Sequence, residues 1–179
     1  MRQTKTSVIS RELHVLSQRK HITQVELAKE TNRAKTTING YFRGDPVPFE
    51  AMQQIAEVMD DSVFSQQLSY KTFESIPAME SEVFQMDPYS LDIIQGIEQK
   101  ERDELKIKAM YALTKNKAAL TKEDKDAIFD YAMNYLDEVF IEIRYIISLF
   151  DKLGMSLMSA VRRRTPHWER KKYLKETKS

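Results

Sequence analysis

Cysteine is absent from the 179 residues. That excludes a disulfide framework, a thiol nucleophile and thiolate-held zinc or iron–sulfur centres, and it fits a reducing cytoplasm. Glycine and proline are scarce, at 4 and 5 residues. Such counts exclude collagen, solenoids with Gly-rich turns and most all-β architectures. The four glycines, at positions 40, 44, 96 and 154, lie too far apart to form a phosphate-binding loop. The three histidines, His14, His21 and His167, are scattered and offer neither a HExxH pair nor a plausible ligand set. No enzyme activity, metal or cofactor is therefore expected. Long apolar runs are missing too. The richest stretch, Val139 to Phe150, is broken by Glu142, Arg144 and Ser148, well short of the ~18 apolar residues a membrane span needs. The N-terminal MRQTKTSVISREL lacks the apolar core and cleavage site of a secretory signal. A cytoplasmic protein without a membrane partner is expected.

Charge is abundant and unevenly placed. Charged residues make up 31% of the chain and apolar ones 41%, the balance of a soluble helical protein. The net charge of +1 conceals a segregation. Residues 1–44 carry nine Lys/Arg against three Asp/Glu; residues 45–161 carry eleven against twenty-two; residues 162–179 carry eight against two. A basic head on an acidic body suggests that one end meets a polyanion while the other does not.

Apolar periodicity and caps predict helices throughout. Ile9, Leu13 and Leu16 fall on one face of a first helix over about 8–19. Thr23 reads as the N-cap of a second, 24–31, and Asn32 suits the left-handed residue that ends it. A third runs over 35–42, with Ile38, Tyr41 and Phe42 on one side and Gly44 as its stop. Ala34 is a poor cap, which favours a late start for this helix. A fourth spans 49–59, and Asp61-Ser62 opens a short fifth ending near Leu68. Residues 69–87 show no sustained period and read as a linker. Asp87-Pro88 is a strong helix start, with Asp capping and Pro at the first helical position. Thr121 to Asp124 resembles a capping box and opens the last long helix, which should run to about Leu153 before Gly154.

That last helix is apolar on more than one side. Tyr135, Val139, Phe140, Ile143, Ile146, Ile147 and Phe150, flanked by Leu136 and Leu149, spread over more than a third of its circumference. The preceding helix offers too few apolar residues to cover them alone. These seven are the expected oligomer interface, in a dimer or a tetramer. The alternative is that the linker and Met155–Val161 fold back to complete the core. The tail 162–179 reads as a solvated, partly disordered end, with a second DNA contact as its alternative.

The run Thr23-Gln-Val-Glu-Leu-Ala-Lys-Glu-Thr-Asn-Arg-Ala-Lys-Thr-Thr-Ile-Asn-Gly-Tyr-Phe-Arg-Gly44, with the two helices after it, resembles the phage repressor/Cro-like (XRE) helix-turn-helix family. The resemblance covers residues ~6–68, a little over a third of the chain. It implies that the third helix enters the major groove of duplex DNA. Lys35, Thr36, Asn39 and Gly40 are then the base-contact candidates. Gln24, Arg33, Thr37, Tyr41 and Arg43 are the candidates for the phosphate backbone. Arg33-Ala34 departs from the family's usual apolar residue followed by Ser or Thr. Gly40 lies inside the third helix, where it costs about 1 kcal/mol relative to Ala; close approach to DNA and plain tolerance both account for it. Some repressors of this type carry a self-cleaving peptidase domain, but the helical C-terminal region here lacks the strands it needs.

The expected fold is all-α: a five-helix repressor-like DNA-binding domain (1–68), a linker (69–87), a helical oligomerisation domain with two long helices (88–161) and a basic tail (162–179). The expected function is sequence-specific regulation of transcription, as a repressor bound to inverted-repeat operators. An antitoxin, or a regulator whose C-terminal helices hold a protein or peptide, is the alternative.

Overall fold

The computed structural model describes residues 6–175. They are helical almost throughout: α1 (Ser10–Lys20), α2 (Gln24–Glu30), α3 (Lys35–Arg43), α4 (Phe49–Met59), α5 (Ser62–Phe73), α6 (Pro88–Leu113), α7 (Lys122–Asp151) and α8 (Leu157–Arg170). Strand β1 (Thr6–Ser7) pairs antiparallel with β2 (Val47–Pro48), Ser7 opposite Val47. This two-residue ladder is the only sheet among the described residues. The all-α class expected from periodicity is therefore observed. Among the described residues no helix is long and apolar enough to cross a membrane.

The chain forms two compact units. One runs up to Ala78 and resumes at Gly154; the other is Met79–Leu153. This grouping differs from the sequence-based domains in two respects. The expected linker 69–87 is divided, 69–78 going with the first unit and 79–87 with the second. Residues 154–161 leave the helical hairpin and join the first unit together with the basic segment that follows.

The first unit is built around Leu13, Leu16, Leu27, Ile38, Ile55 and Phe64, each at most 1% exposed. They come from α1 to α5, so one core fixes all five helices. Each side chain of this size contributes about 1.5–3 kcal/mol on burial. Helix ends are set by local chemistry. His21, Asn32 and Asp60 take left-handed φ values of 51°, 49° and 41° and end α1, α2 and α4 without a glycine. Asp61 caps α5 by accepting from the Phe64 N–H at 2.8 Å. The same carboxylate accepts from Arg19 Nε at 2.8 Å and Nη2 at 2.6 Å, joining the end of α1 to the start of α5. Helix α5 runs five residues beyond the expected end at Leu68 and stops at Glu74, with φ 55°.

The described part of the basic segment is largely helical, as α8. Ser156 caps α8 by accepting from the Ser159 N–H at 3.0 Å. The first turn of α8 is held to the corner between α4 and α5. Ser156 Oγ donates to Asp60 Oδ1 at 2.7 Å, Ser159 Oγ to Asp60 Oδ2 at 3.1 Å, and the Leu157 N–H to Ser62 Oγ at 2.8 Å. These hydroxyls, Ser156 first, and the Arg162 cation hold the Asp60 carboxyl below its ordinary range despite partial burial.

The second unit is an antiparallel hairpin of α6 and α7, about 39 Å and 45 Å long at 1.5 Å per residue. Asp87 caps α6, accepting from Tyr89 and Ser90 N–H groups, and Thr121 and Asp124 form the expected capping box on α7. Lys115 Nζ reaches both oxygens of Asp124 at 2.8 Å across the connection. Met79, Leu91 and Ile141 centre the apolar seam, and Ile147 is fully buried. Further along the seam lies a polar cluster. Glu138, 3% exposed, accepts from Gln95 Nε2 at 3.2 Å. It lies 2.9 Å from Arg102 Nε in an ion pair too poorly aligned for a hydrogen bond. The Arg102 guanidinium in turn stands 4.7 Å over the Tyr135 ring.

Candidate functional site

The α2–turn–α3 element is held at both ends by its own caps and backbone bonds. Thr23 caps α2 and completes a full capping box. Its Oγ1 accepts from the Glu26 N–H at 3.2 Å, and Glu26 Oε2 accepts from the Thr23 N–H at 2.8 Å. That backbone bond, followed by the Thr23 hydroxyl, lowers the Glu26 pKa. At the other end Arg33 N–H donates to Ala28 C=O at 2.8 Å and Asn32 N–H to Lys29 C=O at 3.1 Å. These paired bonds around a left-handed residue are a Schellman closure, with Asn where Gly is usual. Thr31 is fully buried beneath the turn and its hydroxyl donates to Leu27 C=O at 2.6 Å.

A residue of α4 fastens the turn from outside. Gln54 Nε2 donates to Thr31 C=O at 2.7 Å, and Gln54 Oε1 accepts from Arg33 Nε at 3.0 Å. Sequence reasoning missed Gln54, because a Gln in an amphipathic helix carries no sign of its distant partner. The contact also changes the role of Arg33. Its half-buried guanidinium spends Nε on fixing the turn, so Arg33 is a structural residue first.

Helix α3 starts at Lys35 without the late start that Ala34 favours, although Ala34 gives it no side-chain cap. Its two faces divide cleanly. Ile38, Tyr41 and Phe42 turn inward, at 0%, 6% and 6% exposure. Lys35, Thr36, Thr37 and Arg43 are exposed. None of these four side chains has a hydrogen bond or ion pair among the described residues. Thr36, Asn39 and Arg43 follow one another at helical spacings on this outer face. Asn39 is half-buried, and its Oδ1 lacks a partner. Gln24, at the first position of α2, is also half-buried.

Two expected contacts are corrected. Tyr41 belongs to the core of the first unit and does not offer its ring to a ligand. Gly40 is buried beside Asp45, whose carboxyl carbon lies 3.3 Å from where a Cβ would stand. Asp45 N–H also donates to Gly40 C=O at 3.0 Å. Gly40 thus makes room for the chain leaving α3 and presents no outward surface.

Charge follows the division into units. Residues 1–78 and 154–179 carry 18 Lys/Arg and 11 Asp/Glu, while residues 79–153 carry 10 and 16. The polar outer face of α3 lies on the cationic unit.

The expected interface on α7 splits in two. Ile147 is fully buried, and Phe140 packs on the hairpin's own cluster, so both are internal. Val139, Ile143 and Phe150 are half-buried. Tyr135 and Ile146 are open, at 45% and 43%. The exposed apolar side chains form two patches, Phe129, Met133 and Leu136 in the first half of α7 and Ile146 and Leu149 near its end with Leu153 just beyond, from 42% to 72% exposed. Three of these six, Phe129, Met133 and Leu153, were not singled out from sequence. Helix α6 adds Ile93, Ile97, Ile107 and Tyr111, from 49% to 83% exposed.

No family model matches the chain, and neither the curated proteins nor the solved structures searched contain a match to it.

Proposed function

We propose that this protein binds duplex DNA sequence-specifically through α2 and α3 and regulates transcription, as a repressor, in a homodimer or higher oligomer. One observation carries the reading. The outer face of a short helix, rigidly seated on a core, presents Lys35, Thr36, Thr37 and Arg43 with no partner of their own. The resemblance of residues ~6–68 to repressor-like helix-turn-helix proteins and the cationic balance of the same unit support it. In this reading Lys35 and Thr36 read base edges and Asn39 offers its amide behind them. Gln24, Thr37 and Arg43 hold phosphates.

The exposed apolar side chains of α7 support self-association. So many of them on one helix exceed what a monomer ordinarily leaves in water. A two-fold dimer would set two recognition helices about 34 Å apart, one turn of DNA. Light scattering at micromolar concentration should show a dimer or larger, and Ile146→Glu with Leu149→Glu should shift it to monomer. A monomeric wild-type chain would remove the oligomer from the reading.

Footprinting across the DNA that flanks the protein's own gene tests the function. Discrete protected inverted repeats are expected. Lys35→Ala or Thr36→Ala should each relax the sequence preference by about 1–3 kcal/mol. Arg43→Ala should weaken binding to all DNA alike and reduce the salt slope by about one unit. Equal losses on specific and arbitrary DNA for all three variants would refute the assignment of readers.

A further inference from the structure

Helix α8 concentrates positive charge without internal use for it. Six of the eleven residues from Arg162 to Lys172 are Arg or Lys, against one acid, Glu169. The arrangement has a direction. Ser156, Ser159 and Arg162 turn toward Asp60; Ser156 and Ser159 are bonded to it, and Arg162 Nη2 lies 3.6 Å from its Oδ1. Glu169 lies two turns beyond Arg162 on that same side. Arg163 with Arg170, and Arg164 with Lys171, form two stripes on the remaining circumference, each pair about 10 Å apart along the axis. Arg163, Arg164, Arg170, Lys171 and Lys172 are exposed, and their side chains have no partner among the described residues. Cations near the end of a helix favour its dipole, which explains Arg170 and Lys171. It does not explain adjacent arginines in mid-helix, which repel one another.

We propose that α8 is a second contact with the DNA backbone: a cationic arm, latched to the head at Asp60, that neutralises phosphates beyond those reached by α3. The inference rests on the DNA reading given above. Three observations favour duplex DNA as the occupant. The arm belongs to the same compact unit as α3. At roughly 21 Å it spans many phosphates, since a duplex carries about one charge per 1.7 Å. And its outer side bears charge with little apolar surface. An interfacial membrane helix needs an apolar face of its own, and within α8 Val161, at 39%, is the one large apolar residue left open, with Tyr173 and Leu174, at 75% and 46%, following past the helix end and forming no face on it.

The test compares the full-length wild type with a variant carrying R163Q, R164Q, R170Q, K171Q and K172Q. Glutamine keeps helix propensity, and circular dichroism checks that the fold is retained. Affinity for a short duplex of arbitrary sequence is measured over a range of salt. The variant should bind at least tenfold more weakly at moderate salt. Its plot of log affinity against log salt should be shallower by at least about two units, at ~0.9 per phosphate lost. Trp168, the only tryptophan, lies on this arm, so its emission should change on adding the duplex to wild type. An unchanged slope with wild-type binding intact overturns the arm and leaves the α3 reading standing. So does an arm that instead proves necessary for binding vesicles of anionic lipid. No binding of any duplex by the wild type overturns both.

Discussion

Replacing Gly40 by Ala decides between an inward and an outward role for that glycine. Inside a helix Ala is favoured over Gly by about 1 kcal/mol. Against this stands the Asp45 side chain: an added Cβ would lie 3.3 Å from its carboxyl carbon and nearer still to one carboxylate oxygen. Asp45 is exposed, so it gives way by rotating, at a cost of about 0.5–1.5 kcal/mol for leaving its rotamer. The two effects nearly cancel, and Gly40→Ala alone should change stability by less than about 1 kcal/mol. In an Asp45→Ala background the obstacle is gone and the full gain of about 1 kcal/mol should appear. Thermal unfolding of the four proteins of this cycle reads the coupling. A 1 kcal/mol effect moves Tm by about 4–8 °C in a unit of this size. DNA affinity should remain within about threefold in each variant, because the residue faces away from any ligand on the outer side of α3. Strictly additive changes, together with loss of DNA binding by Gly40→Ala at an unaltered Tm, would refute this reasoning and return Gly40 to the DNA surface.

Three further outcomes follow from buried polar contacts. Asp61→Ala removes the cap of α5 and both bonds to Arg19, and should cost about 1–3 kcal/mol in denaturant unfolding; Asp61→Asn should recover the cap but not the ion pair. Glu138→Ala leaves the Arg102 charge with only the half-exposed Asp103, 3.5 Å away, as its acidic partner and should cost about 1–3 kcal/mol, whereas Arg102→Met with Glu138→Leu should recover most of it; a double variant as unstable as the single one would contradict this. Glu98 has a raised pKa, first from burial and then from Glu101 and Asp137. Its ionised form therefore opposes folding above that pKa, and the penalty fades as pH falls through it. Glu98→Gln should therefore raise Tm at neutral pH, and the gain should vanish in acid.

Local signals were legible wherever local chemistry decides the outcome. Thr23, Asp87 and Thr121 cap helices where spacing placed them, and Asn32 and Gly44 turn left-handed where they end helices. The start and end of α4 follow from the Pro48 boundary and from Met52, Ile55 and Met59 on one face. What eluded the sequence depends on distant partners. Helix α8 was hidden because Pro166 and three consecutive arginines mask its period, and because its anchor, Asp60, lies 96 residues before Ser156. The division of α7 into covered and open sides depends on how α6 lies against it, which no periodicity in α7 can fix. Tyr41 and Gly40 fell on the wrong side for a related reason. A short helix between core and solvent has a boundary that shifts with a small rotation, and here Asp45 and the β2 approach set it.

The central claim is that the cationic head reads duplex sequence through α3. Repeated selection of binding sites from a pool of random duplexes by the full-length protein tests it most directly. Enrichment of one inverted repeat, with half-sites about a helical turn apart and with the preferred bases altered in a Lys35→Ala variant, is the predicted result. A pool that stays random at moderate salt, or one enriched identically by Lys35→Ala and Thr36→Ala, would contradict it.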